Sequence, residues 1–81
     1  MESYDSSNYQ ISNNTNELKT LVRNTNLRTE SNINSLATLY LVNITLYVLE
    51  KSVAQSNGYT WDKVKIRVNW KIGYMINQNY K

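Results

Sequence analysis

The residues that carry most enzyme chemistry are few or missing in this 81-residue chain. It contains no His, the most versatile general base, and no Cys, which excludes disulfides, thiolate chemistry and cysteine-based zinc sites. Two of its six acidic residues, Glu2 and Asp5, lie in the polar N-terminal segment, and the other four are spread out, without a carboxylate pair at helical spacing for Mg²⁺. Neither glycine belongs to a phosphate-binding loop. We therefore predict a non-enzymatic protein with no catalytic residues, no metal site, no cofactor and no small-molecule substrate.

Basic and aromatic residues near the C terminus form the one pattern that suggests a binding function. Residues 51–81 hold six basic residues and one acid, whereas residues 1–50 hold three basic residues and five acids. Such a segment is the usual electrostatic footprint of a polyanion partner, and it is also typical of a solvated surface. The candidate phosphate contacts are Lys63, Lys65, Arg67 and Lys71, with Trp70 as a stacking surface for a base.

The segment that carries these residues fits two structures. As a helix over 60–77, it begins at a Thr60 cap and places Ile66, Trp70 and Tyr74 on a second face beside its core face. As a strand over 62–76, its apolar residues alternate with basic and polar ones. The capping sequence and the need of a strand for a partner strand favour the helix. The main prediction is thus a basic C-terminal helix, and the alternative is an α+β protein with a strand over 62–76.

The most apolar segment predicts a long, buried central helix. It begins after Thr29 or Ser31 and ends before Asn57-Gly58, which supplies a left-handed stop. Apolar residues recur along it at spacings of three and four, as in a heptad seam: Leu39, Val42, Leu46, Leu49 and Val53. Since apolar residues cover most of its circumference, a chain this small has too little material to bury it alone. We therefore expect a homo-oligomer, a protein partner, or both.

The remaining segments complete a mainly α prediction. Residues 1–13 are polar and predict a disordered tail, and residues 14–81 predict a single small domain that opens with a short helix near 15–28. The acidic start is unlike a signal peptide, and the apolar stretch Leu36–Leu49 is shorter than the ~20 residues that cross a bilayer. A cytoplasmic location is the expectation, and membrane binding is the weakest of the partner hypotheses.

The preferred functional hypothesis is a protein–protein interaction module that self-associates and binds or inhibits a larger partner. Its interface would combine the central seam with the second C-terminal face: Leu39, Val42, Leu46, Leu49, Val53, Ile66, Trp70 and Tyr74. The abundance of Asn, Ile, Lys and Tyr resembles small accessory proteins from AT-rich phage or viral genomes, for which the compartment would be the host cytoplasm. The alternative is a small basic nucleic-acid-binding protein that uses the C-terminal segment.

Overall fold

The computed structural model describes residues 14–81 of the chain and consists almost entirely of antiparallel β-structure. The strands are β1 (Asn14–Thr20), β2 (Thr25–Arg28), β3 (Ala37–Tyr40), β4 (Thr45–Ser56), β5 (Tyr59–Ile66) and β6 (Ile72–Ile76), and a short 3-10 helix follows at Asn77–Asn79. They form one sheet with the order β1-β4-β5-β6-β2-β3. The prediction of a mainly α fold, and of a small helical protein, is therefore wrong.

Strands replace each of the three predicted helices. The segment 15–28 forms β1 and β2, the predicted central helix forms β3 and β4, and the predicted basic helix forms β5 and β6. The α+β alternative is also wrong, because 62–76 holds parts of two strands joined by a loop, and the 3-10 helix is the only helical element that the described part of the chain contains. The predicted tail, 1–13, lies outside the described residues.

Hairpin chemistry at Asn57-Gly58 explains why this region is a sheet. Both residues have positive φ, 59° and 80°, and Ser56 pairs with Tyr59 across them. Two left-handed residues between paired strands make the type I′ turn, whose twist matches that of the flanking strands. The dipeptide therefore connects β4 to β5 and does not end a helix.

The core lies on the inner side of this curled sheet. Its buried residues come from β2 to β6 and from the segments that follow β1 and β6: Leu21, Leu27, Tyr40, Leu46, Val48, Val64, Ile66, Met75 and Tyr80. After β6 the chain returns to β1, where the backbone of Lys81 exchanges two hydrogen bonds with that of Thr20, at 2.8 and 3.0 Å. Because β1 also pairs with β4, this return encloses the core within the sheet.

Candidate functional site: an exposed aromatic and basic sheet face

A row of side chains crosses four strands on the outer side of the sheet. Tyr47 in β4 pairs with Leu18 in β1 and with Lys65 in β5, and Lys65 in turn pairs with Ile72 in β6. Directly paired residues project from the same face of a sheet. Ile66, the chain neighbour of Lys65, is fully buried in the core. Because successive residues of a strand point to opposite faces, the row that contains Lys65 faces away from the core. Leu18 and Ile72 are each 52% exposed, which leaves apolar surface at both ends of the row.

The indole of Trp70 lies across this row. Its ring is stacked on that of Tyr47, with centroids 6.2 Å apart and an angle of 11° between the planes. The Lys65 Nζ lies 5.2 Å from the centroid of the indole, within the range of a cation–π interaction. Since Tyr47 and Lys65 are cross-strand partners, both approach the indole from the sheet. Trp70 is 59% exposed, so more than half of its surface remains open to solvent.

The loop that presents Trp70 is held by several hydrogen bonds. The Trp70 N–H donates to the Ile66 carbonyl at 2.8 Å, and the Asn69 side chain accepts from the Lys71 N–H at 3.0 Å. The same Asn69 amide donates to the Tyr40 hydroxyl at 2.9 Å, which ties the loop to β3. Trp70 has a φ of 62°, a conformation that costs a residue with a side chain roughly 1–2 kcal/mol. The fold thus holds an exposed indole on a strained backbone.

We name Leu18, Tyr47, Lys65, Trp70 and Ile72 the aromatic–basic face. Of the predicted phosphate contacts, Lys65 belongs to this face. Lys63 lies two residues before Lys65 in β5, opposite Glu50. Arg67 and Lys71 are exposed at the two ends of the loop that carries Trp70. Of the predicted cations, Lys65 lies against the predicted stacking residue, and Arg67 and Lys71 flank that residue along the chain.

The residues of the predicted protein interface do not form one surface. Leu46 and Ile66 are fully buried in the core, and Leu49 and Val53 are half-buried on β4. The exposed members of the set lie apart: Leu39 in β3, Val42 in the turn after it, and Trp70 in the loop before β6, with half-buried Tyr74 in β6. The helix that was expected to align them does not form.

A second polar cluster lies on the inner side of the sheet. Asp62 is 3% exposed; its Oδ1 accepts a hydrogen bond from the Ser52 N–H at 2.7 Å, and its Oδ2 accepts one from the Tyr80 hydroxyl. Burial, followed by the hydrogen bond to Asp62, raises the pKa of Tyr80 well above its ordinary value. Ser52 has a φ of 54° within an irregular stretch of β4. The cluster thus joins β4, β5 and the C-terminal segment.

The hydrogen bonds of the Asp62 cluster connect parts of the fold, and a recess lies beside them. Lys19, Lys51 and Asn77 help to line a recess of about 210 Å³ beside it. A nucleophile activated by a base, or a pair of carboxylates with separate roles, is the usual basis of hydrolytic chemistry, and one hydrogen-bonded carboxylate supplies neither. Within residues 14–81, no group of three or more acidic, His or Cys side chains is placed to hold a metal ion.

Sequence reasoning did not identify Leu18, Tyr47 and Ile72 as parts of the aromatic–basic face. In the predicted central helix, Tyr47 lies on the arc beside the apolar seam and belongs to neither set of candidate site residues. An assignment of Asn57-Gly58 as a hairpin turn would have paired β4 with β5, although the turn alone does not give the register that places Tyr47 opposite Lys65.

Comparison of the chain with protein-family models, with curated proteins and with solved structures found no match in any of the three. Among the described residues there is also no helix with the length and apolar character needed to cross a membrane. The function is therefore inferred from the geometry and chemistry of the aromatic–basic face.

Proposed function

We propose that this chain is a small non-enzymatic binding module that recognises a segment of a larger partner protein with its aromatic–basic face. The observation that carries the proposal is the placement of Trp70, which is 59% exposed and lies over Tyr47 and Lys65. Trp, Tyr and Arg contribute most of the binding energy at protein interfaces, where they cluster near the centre of the contact. An indole stacked in place loses little side-chain entropy when a partner covers it.

The surroundings of Trp70 indicate the chemistry of this partner. Leu18, Ile72 and Val68 are exposed beside it, at 52%, 52% and 72%, so the partner segment should bring apolar side chains. Arg67 and Lys71 flank the loop, so the segment should also be acidic, since complementary charge speeds association and fixes orientation. We infer an acidic segment with aliphatic or aromatic residues.

Selection from a random peptide library displayed on phage tests this proposal without knowledge of the natural partner. The full chain is immobilised, and the selected peptides are then measured against wild type, Trp70→Gly and Leu41→Ser. Leu41 is 57% exposed and does not belong to the face, so Leu41→Ser is the control for loss of exposed apolar surface. We expect acidic peptides with apolar residues, and binding at least about 30-fold weaker for Trp70→Gly only. Equal binding by wild type and Trp70→Gly would refute the proposal.

Nucleic-acid binding is the second candidate function, favoured by the cation beside the stacking ring. Lys63, Lys65, Arg67 and Lys71 would supply four phosphate contacts, and Trp70 would stack on an unpaired base. Four contacts predict a log–log salt slope of about −2.8 for single strands and about −3.6 for duplex DNA. Fluorescence anisotropy of labelled single-stranded and duplex DNA at about 50 and 200 mM salt measures this slope. The exposed aliphatic neighbours of Trp70 have no partner in a phosphate backbone, and we rank the protein ligand first for that reason.

Self-association is a separate part of the proposal and uses the edge of the sheet. β3 is the last strand in the sheet order, and Leu36 and Leu39 beside and within it are 80% and 58% exposed. No charged residue occurs from Leu36 to Ile44, although charges are a common device that keeps edge strands from pairing. We propose that two copies pair along β3. The cytoplasmic location, host cytoplasm for a viral protein, is proposed from the sequence alone.

A further inference from the structure

A small pocket adjoins the aromatic–basic face on the side of β6. It has a volume of about 220 Å³ and lies among β2, β3 and the start of β6. Half of its lining residues are apolar, namely Leu27, Leu36, Ala37 and Ile72, and the others are Thr29, Thr38 and the charged Arg28 and Lys71. Ile72 also belongs to the aromatic–basic face, so the two surfaces are continuous. The volume is below the ~300–1,000 Å³ of pockets for drug-sized ligands, and it suits one side chain or one small acid.

Arg28 is held in place before any ligand arrives. It lies in the middle of three strands, paired with Tyr74 of β6 and with Ala37 of β3. Its Nη1 donates to the Ser35 carbonyl at 2.8 Å, so one of the five N–H groups of the guanidinium orients the rest. A planar guanidinium with fixed orientation matches the two oxygens of a carboxylate, because it can donate two parallel hydrogen bonds.

The charge of the pocket selects an anion. No acidic side chain lines it, and Lys71 is exposed at its rim. The apolar lining residues select an anion with an aliphatic part, which a carboxylic acid side chain or a small branched acid has and a phosphodiester does not. We infer that this pocket binds a carboxylate carried on a short aliphatic group, such as an acidic side chain of the partner segment. The assignment to a partner segment rests on the proposed function, whereas the pocket itself does not.

The test uses 3-methylbutanoate as the probe, followed by two-dimensional NMR of the isotope-labelled full chain. The neutral 3-methylbutanamide has the same shape and serves as the ligand control, and inorganic phosphate tests a bare anion. We expect the amide signals of Arg28, Ala37 and Lys71 to shift with 3-methylbutanoate, with a dissociation constant on the order of 10 mM for so small a ligand. Arg28→Gln and Lys71→Gln should each weaken this binding roughly tenfold. Lys81→Gln removes the same charge outside the pocket, at an exposed position, and should leave binding within about twofold.

Three results would overturn the inference. They are equal shifts with 3-methylbutanamide, equal shifts at the same amides with phosphate, and no shifts in wild type up to about 100 mM ligand. Because Arg28→Gln also removes the hydrogen bond to Ser35, Lys71→Gln provides the decision if Arg28→Gln does not fold. The peptide selection reports on the face at Trp70 and the titration with 3-methylbutanoate reports on this pocket, so failure of the proposed function and failure of this pocket are separate observations.

Discussion

The backbone at Trp70 makes a prediction whose sign is unusual: glycine at this position should be more stable than alanine. Trp70 has a φ of 62°, which costs a residue with a side chain roughly 1–2 kcal/mol and costs glycine nothing. Glycine also loosens the unfolded chain, which lowers stability by about 0.4–1 kcal/mol relative to alanine. The balance favours Trp70→Gly over Trp70→Ala by about 1 kcal/mol.

Both variants lose the same side-chain contacts. The aromatic pair with Tyr47 contributes about 0.5–1.5 kcal/mol beyond its buried area, and the cation–π contact with Lys65 about 0.5–1 kcal/mol at an exposed site. Trp70→Ala should therefore be less stable than wild type by about 2 kcal/mol, and Trp70→Gly by about 1 kcal/mol. Equilibrium unfolding in urea measures both values, because Trp61 is fully buried and remains as the fluorescent probe.

Val68 provides the matched control within the same loop. It is 72% exposed and is not among the described residues with positive φ, so Val68→Ala should be at least as stable as Val68→Gly. If Trp70→Ala proves as stable as Trp70→Gly, or more stable, the left-handed backbone at this position is wrong. The loop would then not hold the indole of Trp70 on a strained backbone.

Three further predictions concern other parts of the sheet. Burial and the hydrogen bond to Asp62 raise the pKa of Tyr80, so above pH 10 the unfolded chain loses a proton that the folded chain keeps, and stability falls with rising pH. Urea unfolding between about pH 9 and 11 should show a fall up to about 1.4 kcal/mol per pH unit steeper in wild type than in Tyr80→Phe; parallel curves would contradict it. Gly73→Ala should lower the free energy of unfolding by about 1–3 kcal/mol, because its Cβ would lie 2.7 Å from a β2 carbonyl oxygen, and a loss below about 0.5 kcal/mol would contradict this packing. Sedimentation equilibrium should give a dimer for wild type and a monomer for Leu39→Lys, whereas a wild-type monomer at about 100 µM would refute pairing along β3.

Local turn chemistry was present in the sequence and was assigned to the wrong element. Asn57-Gly58 favours positive φ in either context, since a helix that ends in a left-handed residue needs one such position and a type I′ turn needs two in succession. The observed φ values of 59° and 80° use both. Two successive residues that tolerate positive φ, followed by the alternating pattern of 59–66, favour a hairpin, and this combination would have predicted β4 and β5.

The apparent heptad seam had a different origin. β4 pairs with β1 on one side and β5 on the other, and its residues are buried or half-buried from Thr45 to Glu50. Tyr47 and Leu49 alternate with the buried Leu46 and Val48 and are themselves apolar, so β4 lacks the alternation of apolar and polar residues by which strands are usually identified. Leu46 and Leu49 then match a helical spacing of three, although one is fully buried in the core and the other is half-buried in an adjoining part of the strand. Periodicity alone could not separate the two structures.

The register that assembles the aromatic–basic face is a further step away from the sequence. The turn at Asn57-Gly58 alone would place Tyr47 opposite Val68, and the pairing does begin in that register, with Ser56 opposite Tyr59. Two irregularities in β4 then shift it, so that Tyr47 faces Lys65, three residues earlier. No periodicity in the sequence encodes such bulges, because each adds residues to one strand without a repeating signal.

The Asp62 cluster, on the opposite side of the sheet, therefore stabilises the register that assembles the aromatic–basic face. Ser52 lies within the irregular stretch of β4, and its N–H, which has no regular strand partner there, is bonded to Asp62. Without the irregularities, β4 would slide by three residues, and an odd shift turns each side chain to the other face of a sheet. Tyr47 would then point inward and Trp70 would lose the ring beneath it. The buried carboxylate thus holds the register on which the stacked pair of Tyr47 and Trp70 depends.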